Sequence, residues 1–234
     1  MHREYEARFV EVEQKHPWFV ARRKLFAGFV DDARDRAILD FGCGTGSFLR
    51  ALKAAGHTQL EGVEPAPALR AVWADLGLPT HTAWPEREYD VIFMLDVLEH
   101  IADDRGTLGE VRRHLRPGGR FFLSVPAHPF LWSRHDEQNL HQRRYTKREL
   151  VLKLHAAGFR VVKLSYWNMF SFLPLAAIRL LKIESQSSEL ELGNPFVHAV
   201  LHRLFALENG LARRISLPFG VSLIAIAEVD PSAG

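Results

Sequence analysis

The residues best suited to chemistry begin with Asp40-Phe41-Gly42-Cys43-Gly44-Thr45-Gly46, an acid and then three glycines at alternating positions, directly after the apolar pair Ile38-Leu39. Glycine is needed where the backbone turns through φ angles that other residues resist and where a ligand presses on the main chain. The helical segment behind the loop, residues 47–55, offers its unpaired N-terminal amides to such a ligand. About twenty residues further on, a second short apolar run ends in Glu64-Pro65, where a carboxylate can take two hydroxyl donors at once. Glu99 and His100 follow the nearly unbroken apolar run at 90–95. His100 titrates near neutrality and is the best candidate for a general base, with capping of the next helix as the competing role. A polar and aromatic stretch spans residues 128–146, where His135, Asp136, His141, Arg143, Arg144 and Tyr145 crowd more closely than a connecting loop requires. Three uses are open for it: a divalent metal on His135, Asp136 and His141, a substrate pocket in which Arg143 and Arg144 meet an anionic group, or a mutually hydrogen-bonded knot. Those ligands lack compact helical spacing, so the pocket is preferred and no metal is expected.

The elements that must position these groups alternate. Strands are expected at 37–40, 60–63, about 79–83, 90–95, 120–126, 159–166 and 221–229, and helices at 47–55, 66–76, 104–115 and 147–157. The nearly unbroken apolar run at 90–95 is how a strand buried on both faces reads, and Thr146 with Glu149 forms a capping signal for the helix that follows. The pattern predicts an α/β fold built on a doubly wound parallel sheet. One domain is expected over residues 1–234: a helical cap at 1–36 interrupted by Pro17, a core at 37–166, a helical insert at 167–220, and a last strand at 221–229. The insert carries two helical segments, 170–183 and 195–215, more apolar than burial of one face requires, which predicts a lid over an apolar acceptor or a subunit interface, as in a homodimer, ahead of core packing or membrane-surface contact. Residues 184–194, rich in Ser, Glu and Gly, are expected to form a flexible loop.

Composition narrows the function. The 30 Lys and Arg balance 28 Asp and Glu, which points away from a nucleic-acid partner. The only cysteine is Cys43, so a disulfide within the chain and a cysteine-based zinc site are excluded, and a reducing, cytoplasmic setting is expected. The charged N-terminus does not read as a secretory signal, and no run reaches the roughly 18 apolar residues of a membrane span.

The loop DFGCGTG resembles the DxGCGTG motif of class I S-adenosylmethionine-dependent methyltransferases, its GxGxG spacing differing from the GxGxxG of dinucleotide enzymes. Residues 61–65, 89–100 and 115–126 resemble, in order, the family's second-, fourth- and fifth-strand motifs. The resemblance implies a Rossmann-like seven-stranded sheet whose last strand lies antiparallel between the fifth and sixth. It implies S-adenosylmethionine as cofactor and S-adenosylhomocysteine as product. Asp40, Gly42, Cys43 and Gly44 would line the methionine part, Glu64 would hold the ribose hydroxyls, Pro65 would lie near the adenine, and Leu95 and Asp96 would close the site beneath. Many relatives place an acid after strand three for the adenine amine; here Ala83, through its backbone, and Trp84, against the ring, are expected to substitute. In the segment beginning His16-Pro17-Trp18, which resembles an N-terminal motif of one bacterial subgroup, Arg22 is expected to reach the methionine carboxylate. Leu98-Glu99-His100 resembles the LEH of quinone-type and small-molecule O-methyltransferases, and residues 132–146 resemble the WSxHDxxxxHxRRYT signature of the bacterial subgroup that shares the N-terminal motif. The expected activity is methyl transfer to a small-molecule acceptor, at oxygen, with His100 and Glu99 at the reacting end. The alternatives are transfer to nitrogen or carbon, or a cofactor-binding module without turnover. The amino-directed Asn-Pro-Pro-aromatic motif does not follow strand four.

Overall fold

Short runs whose every residue is buried form the centre of the sheet: β1 (Ile38–Phe41), β2 (Leu60–Val63) and, one residue excepted, β4 (Tyr89–Leu95). The computed structural model describes residues 12–32, 34–66, 77–180 and 195–231. Beside these strands lie β3 (Thr80–His81), β5 (Leu115–Pro126), β6 (Phe159–Trp167) and β7 (Ser222–Val229), in the order β3-β2-β1-β4-β5-β7-β6. The first five strands pair in parallel, and β7 runs antiparallel between β5 and β6, as expected.

Alternation along β4 explains its apolar sequence. Val91, Phe93 and Leu95 enter one hydrophobic layer and Ile92 and Met94 the other, which Tyr89 joins across the irregularity between Tyr89 and Val91. The first layer is covered by α1 (Pro17–Ala27) and α2 (Ser47–Ala54), which contribute Phe26 and Phe48. The second is covered by α3 (Asp104–Arg113), with Leu108 and Val111. After β5 come α4 (Arg134–Gln138) and α5 (Lys147–Ala156), whose Leu150 and Leu154 complete the second layer. Helices on both faces make the sheet doubly wound.

Local chemistry sets the helix starts. Pro17 occupies the first turn of α1, where a missing N–H costs nothing, and the His16 ring accepts the Trp18 amide. Thr146 Oγ1 accepts the Glu149 amide at 3.2 Å, so α5 begins where its capping signal stands. β5 starts at Leu115, earlier than the strand expected at 120–126, with a register shift against β4 between Tyr89 and Val91. The insert forms α6 (Phe172–Leu180) and α7 (Pro195–Arg214). Asn209 on α7 donates to the Ala21 carbonyl of α1 at 2.8 Å and accepts from Trp167 Nε1 at 3.0 Å, fixing the insert to the cap and to the end of β6. The helix expected at 66–76, the loop at 184–194 and the start of the cap at 1–11 lie outside the described residues. No helix among the described residues is long and apolar enough to cross a membrane.

Candidate active site

β1 and β4 are parallel neighbours whose carboxyl ends open side by side, one into the glycine loop and the other into Asp96 and a 3-10 turn at Leu98–His100. Open α/β sheets place their ligands at such a switch point, where strand order reverses. A cavity of about 700 Å³ lies there. Asp40, Gly42, Cys43 and Gly44 line it on one side, and Leu95, Asp96, Glu99 and His100 on the other. Gly42 and Gly44 have φ of 74° and 56°, the left-handed region that favours glycine. A Cβ on Gly42 would collide with the Val97 side chain, whereas one on Gly44 would meet nothing within 4 Å. Gly44 thus leaves an open cradle on the cavity wall. Asp96 also takes a positive φ, 56°, which turns the chain sharply out of β4.

Charge is concentrated around this loop. Glu64 is buried and accepts the Gly44 amide at 3.0 Å and the Ala66 amide at 2.9 Å, one on each oxygen. A carboxylate retains lone pairs beyond two such bonds. Arg22, from α1, reaches across to Asp96 Oδ2 at 2.5 Å and lines the cavity, its guanidinium 4.9 Å from the Trp18 ring. Burial raises the Asp40 carboxyl to about 7, with Arg22 pulling the other way. Burial and the Asp40 and Glu64 carboxylates push the Cys43 thiol up, so it is no thiolate nucleophile; Cys43 also fills the gap over Gly62, where a Cβ would come within 2.8 Å of its Sγ. Sequence reasoning missed Glu13, which is buried, lines the cavity and binds Thr45 Oγ1 and, at 2.6 Å, Ser47 Oγ. Its side chain ties the cap to the glycine loop. No local motif marks it, because its partners lie more than thirty residues away.

The 132–146 stretch divides between cavity and interior. His135, His141 and Arg144 line the cavity. Asp136 does not: it is fully buried and accepts from Arg144 Nε at 2.7 Å, bonds His141 Nδ1 at 2.9 Å and accepts the Ser133 amide at 2.9 Å. Its expected substrate contact is corrected to a positioning one, and its bonds hold its pKa well below the carboxylate range. Arg143 and Tyr145 are corrected as well. Arg143 pairs with Asp104 Oδ2 at 2.7 Å and donates to the Ala102 carbonyl, while the buried Tyr145 hydroxyl donates to Asp104 at 3.0 Å. Backbone direction explains the split, since Tyr145 bridges in parallel to Ala127 beside the sheet and its neighbour Arg144 points the other way. Arg143→Ala is therefore expected to cost about 1 kcal/mol of stability in denaturant unfolding, with the acceptor's KM unchanged. A raised KM at unchanged stability would return Arg143 to the acceptor's side.

The adenine side is corrected at one position. Trp84 stacks on Phe41 at 4.3 Å and on His114 at 4.6 Å, so both of its faces are covered and neither is open to a base. Ala83 and Pro65 are exposed, and neither they nor Glu64 are among the residues lining the cavity. The far wall comes from the insert: Phe170, Pro174, Leu175, Leu201 and Leu204 line the cavity. Phe205 and Ala212 of α7 join the core, whereas Phe196 and Leu207 are exposed.

A switch-point cradle at the end of β1, in a sheet with an antiparallel seventh strand, defines the class I methyltransferase fold. The family described as "Methyltransferase domain" matches residues 13–164, and the chain belongs to that family. A tRNA U34 carboxymethyltransferase of Idiomarina loihiensis is 25% identical over 132 residues, 50% of this chain and 40% of that protein. A ubiquinone biosynthesis O-methyltransferase of Klebsiella pneumoniae is 28% identical over 102 residues, 38% of this chain and 42% of that protein. The chain thus spans less than half the length of these curated relatives. The solved S-adenosylmethionine-dependent methyltransferase of Mesorhizobium loti shares the fold with a TM-score of 0.60 at 16% identity, over 93% of this chain and 97% of that one. The family's cofactor is S-adenosylmethionine. The site fits it: an open cradle at Gly44, the Arg22 cation and the Asp40 and Glu64 carboxylates suit a ligand carrying a carboxylate, an ammonium and ribose hydroxyls.

Proposed function

We propose that this enzyme transfers the methyl group of S-adenosylmethionine to an oxygen of a small-molecule acceptor, and that the acceptor sits between the Glu99–His100 turn and the insert. One observation carries the reading: a single cavity runs from the glycine loop to Glu99, His100 and an apolar wall from α6 and α7. In this arrangement Arg22 binds the methionine carboxylate, Asp40 meets the ammonium, and Glu64 holds the ribose hydroxyls. The adenine contact falls to the Ala83 backbone without Trp84. The apolar wall excludes water from the reacting atoms. When bound, S-adenosylmethionine would supply a methyl group already carried on a sulfonium; the Glu99–His100 turn and the insert would hold an acceptor oxygen against it, and His100 would take the acceptor's proton. Transfer to oxygen is the reaction in the name of the Klebsiella relative. The apolar wall and the balanced charge favour a small molecule over the tRNA named for the Idiomarina relative.

His100 carries a testable pH signature. Burial, and then the neighbouring His141, hold its pKa below 6.5, so its base form already dominates at neutral pH. The rate is expected to rise with pH through a limb below 6.5 and then to level. His100→Ala should lose that limb and lower turnover by about 10²–10⁴ with cofactor affinity unchanged. A variant that keeps the wild-type pH profile contradicts the assignment. A chain that binds the cofactor but methylates none of a broad panel of phenols, hydroxy acids and amines would favour a binding module instead.

A further inference from the structure

Three side chains converge at the acceptor end of the cavity, and of these only His100 has been given a task. Glu99, His100 and His141 each offer a ligand atom, and these atoms all lie within 4.8 Å of one another. Glu99 is 1% exposed, lines the cavity, and its Oε2 has no hydrogen-bond partner among the described residues. A carboxyl oxygen without a bond keeps its lone pairs for a further partner. One imidazole is oriented from behind. Asp136 takes His141 Nδ1 at 2.9 Å, which leaves Nε2 as the atom for a further contact. A carboxylate partner of this kind is what metal-bound histidines use to fix tautomer and orientation. The loop itself is pinned, since the Gln142 amide donates to the Glu99 carbonyl at 2.7 Å, which sets His141 beside the turn. The ring centroids of His100 and His141 are 4.7 Å apart at 84°, an edge contact that sets the two imidazoles side by side.

From this geometry we infer that Glu99, His100 and His141 form a binding site for one divalent transition-metal cation, with an open coordination position facing the acceptor. Metal bonds of about 2.0–2.2 Å require the three donors to draw closer than they stand, a movement available to the exposed His100 side chain. Two imidazoles and one carboxylate suit Zn²⁺, Mn²⁺, Co²⁺ or Fe²⁺ rather than Mg²⁺ or Ca²⁺, which prefer all-oxygen sets. The role of the ion rests on the proposed acceptor position and, with the ion bound, replaces proton transfer to His100, whose free nitrogen would be spent on the metal: the ion would bind the acceptor oxygen and lower its pKa, and the proton would go to water. The set differs from the His135, Asp136 and His141 considered on sequence, because Asp136 is spent on Arg144 and His141.

Co²⁺ and Zn²⁺ are the probes, titrated into the full chain with neither cofactor nor acceptor present, so that the outcome is independent of catalysis. Co²⁺ is expected to bind at one equivalent with visible ligand-field bands, and Zn²⁺ to displace it. Glu99→Gln, His100→Ala and His141→Ala should each weaken binding at least tenfold, and Asp136→Asn should weaken it to a lesser degree. His198 and His202 on α7, with ring centroids 6.5 Å apart, are a generic chelating pair, and the double variant His198→Ala/His202→Ala should bind as the wild type does. Absence of binding, binding abolished only by the His198/His202 double variant, or wild-type affinity in Glu99→Gln and His100→Ala would each overturn the inference. The two last variants, on the cavity-facing turn, keep the test valid if His141→Ala fails to fold. Should no ion bind while His100→Ala still loses its pH limb, the base assignment stands alone.

Discussion

Asp136→Ala is expected to destabilise the protein by about 3–5 kcal/mol in denaturant unfolding, the largest effect of any single change in the 132–146 stretch. The side chain is fully buried, and its removal leaves Arg144, itself 5% exposed, as a buried cation without its carboxylate partner. It also releases the His141 ring and the start of α4. The pH dependence has a definite sign. Asp136 titrates well below its ordinary value in the fold, so its stabilisation is fully present above the unfolded pKa of about 3.9 and is lost as pH falls from there toward the depressed folded value. The gap between wild type and variant should therefore narrow only below about pH 4. A loss below about 1 kcal/mol, or a gap that closes near neutrality, would show that Arg144 finds other partners.

Glu64→Ala is expected to weaken cofactor binding by about 3–6 kcal/mol, on the order of 10²–10⁴ in Kd, if the carboxylate holds both ribose hydroxyls. The Gly44 and Ala66 amides lose their acceptor in the same change, so some stability goes with it and the cradle loosens. Glu64→Gln separates the two effects, because an amide oxygen can keep one backbone bond while the charge is gone. Titration calorimetry with S-adenosylhomocysteine checks both variants. Unchanged affinity in Glu64→Ala would remove this residue from the ribose contact.

How much was legible in the sequence depended on whether a residue's partner lay nearby in the chain. The glycine loop, the unbroken apolar run of β4 and the Thr146 cap each declare themselves locally, and each stands where the pattern placed it. The position of β7 between β5 and β6 followed from family resemblance, since nothing in residues 221–229 states which neighbours it takes. Trp84, Arg143 and Tyr145 were misplaced for a common reason: aromatic and cationic side chains line ligand sites and also seal interiors, and only tertiary geometry separates the two uses. Phe41 and His114, which cover Trp84, come from β1 and the end of α3. Asp104, which holds Arg143 and Tyr145, comes from the start of α3. Glu13 was invisible for the same reason, as its task is set by hydroxyls of the glycine loop rather than by its own neighbours. The ligand cluster was half visible. Glu99 and His100 were read as one site and His141 as another, and the fold brings them together.

A crystal structure with S-adenosylhomocysteine bound tests the central claim most directly, because the position of the sulfur fixes where the methyl departs. The account predicts the homocysteine moiety between Arg22, Asp40 and the Gly42–Gly44 cradle, with its sulfur turned toward Glu99, His100 and the apolar wall of the insert. Density for the ligand elsewhere, or a sulfur turned away from the Glu99–His100 turn, would contradict it.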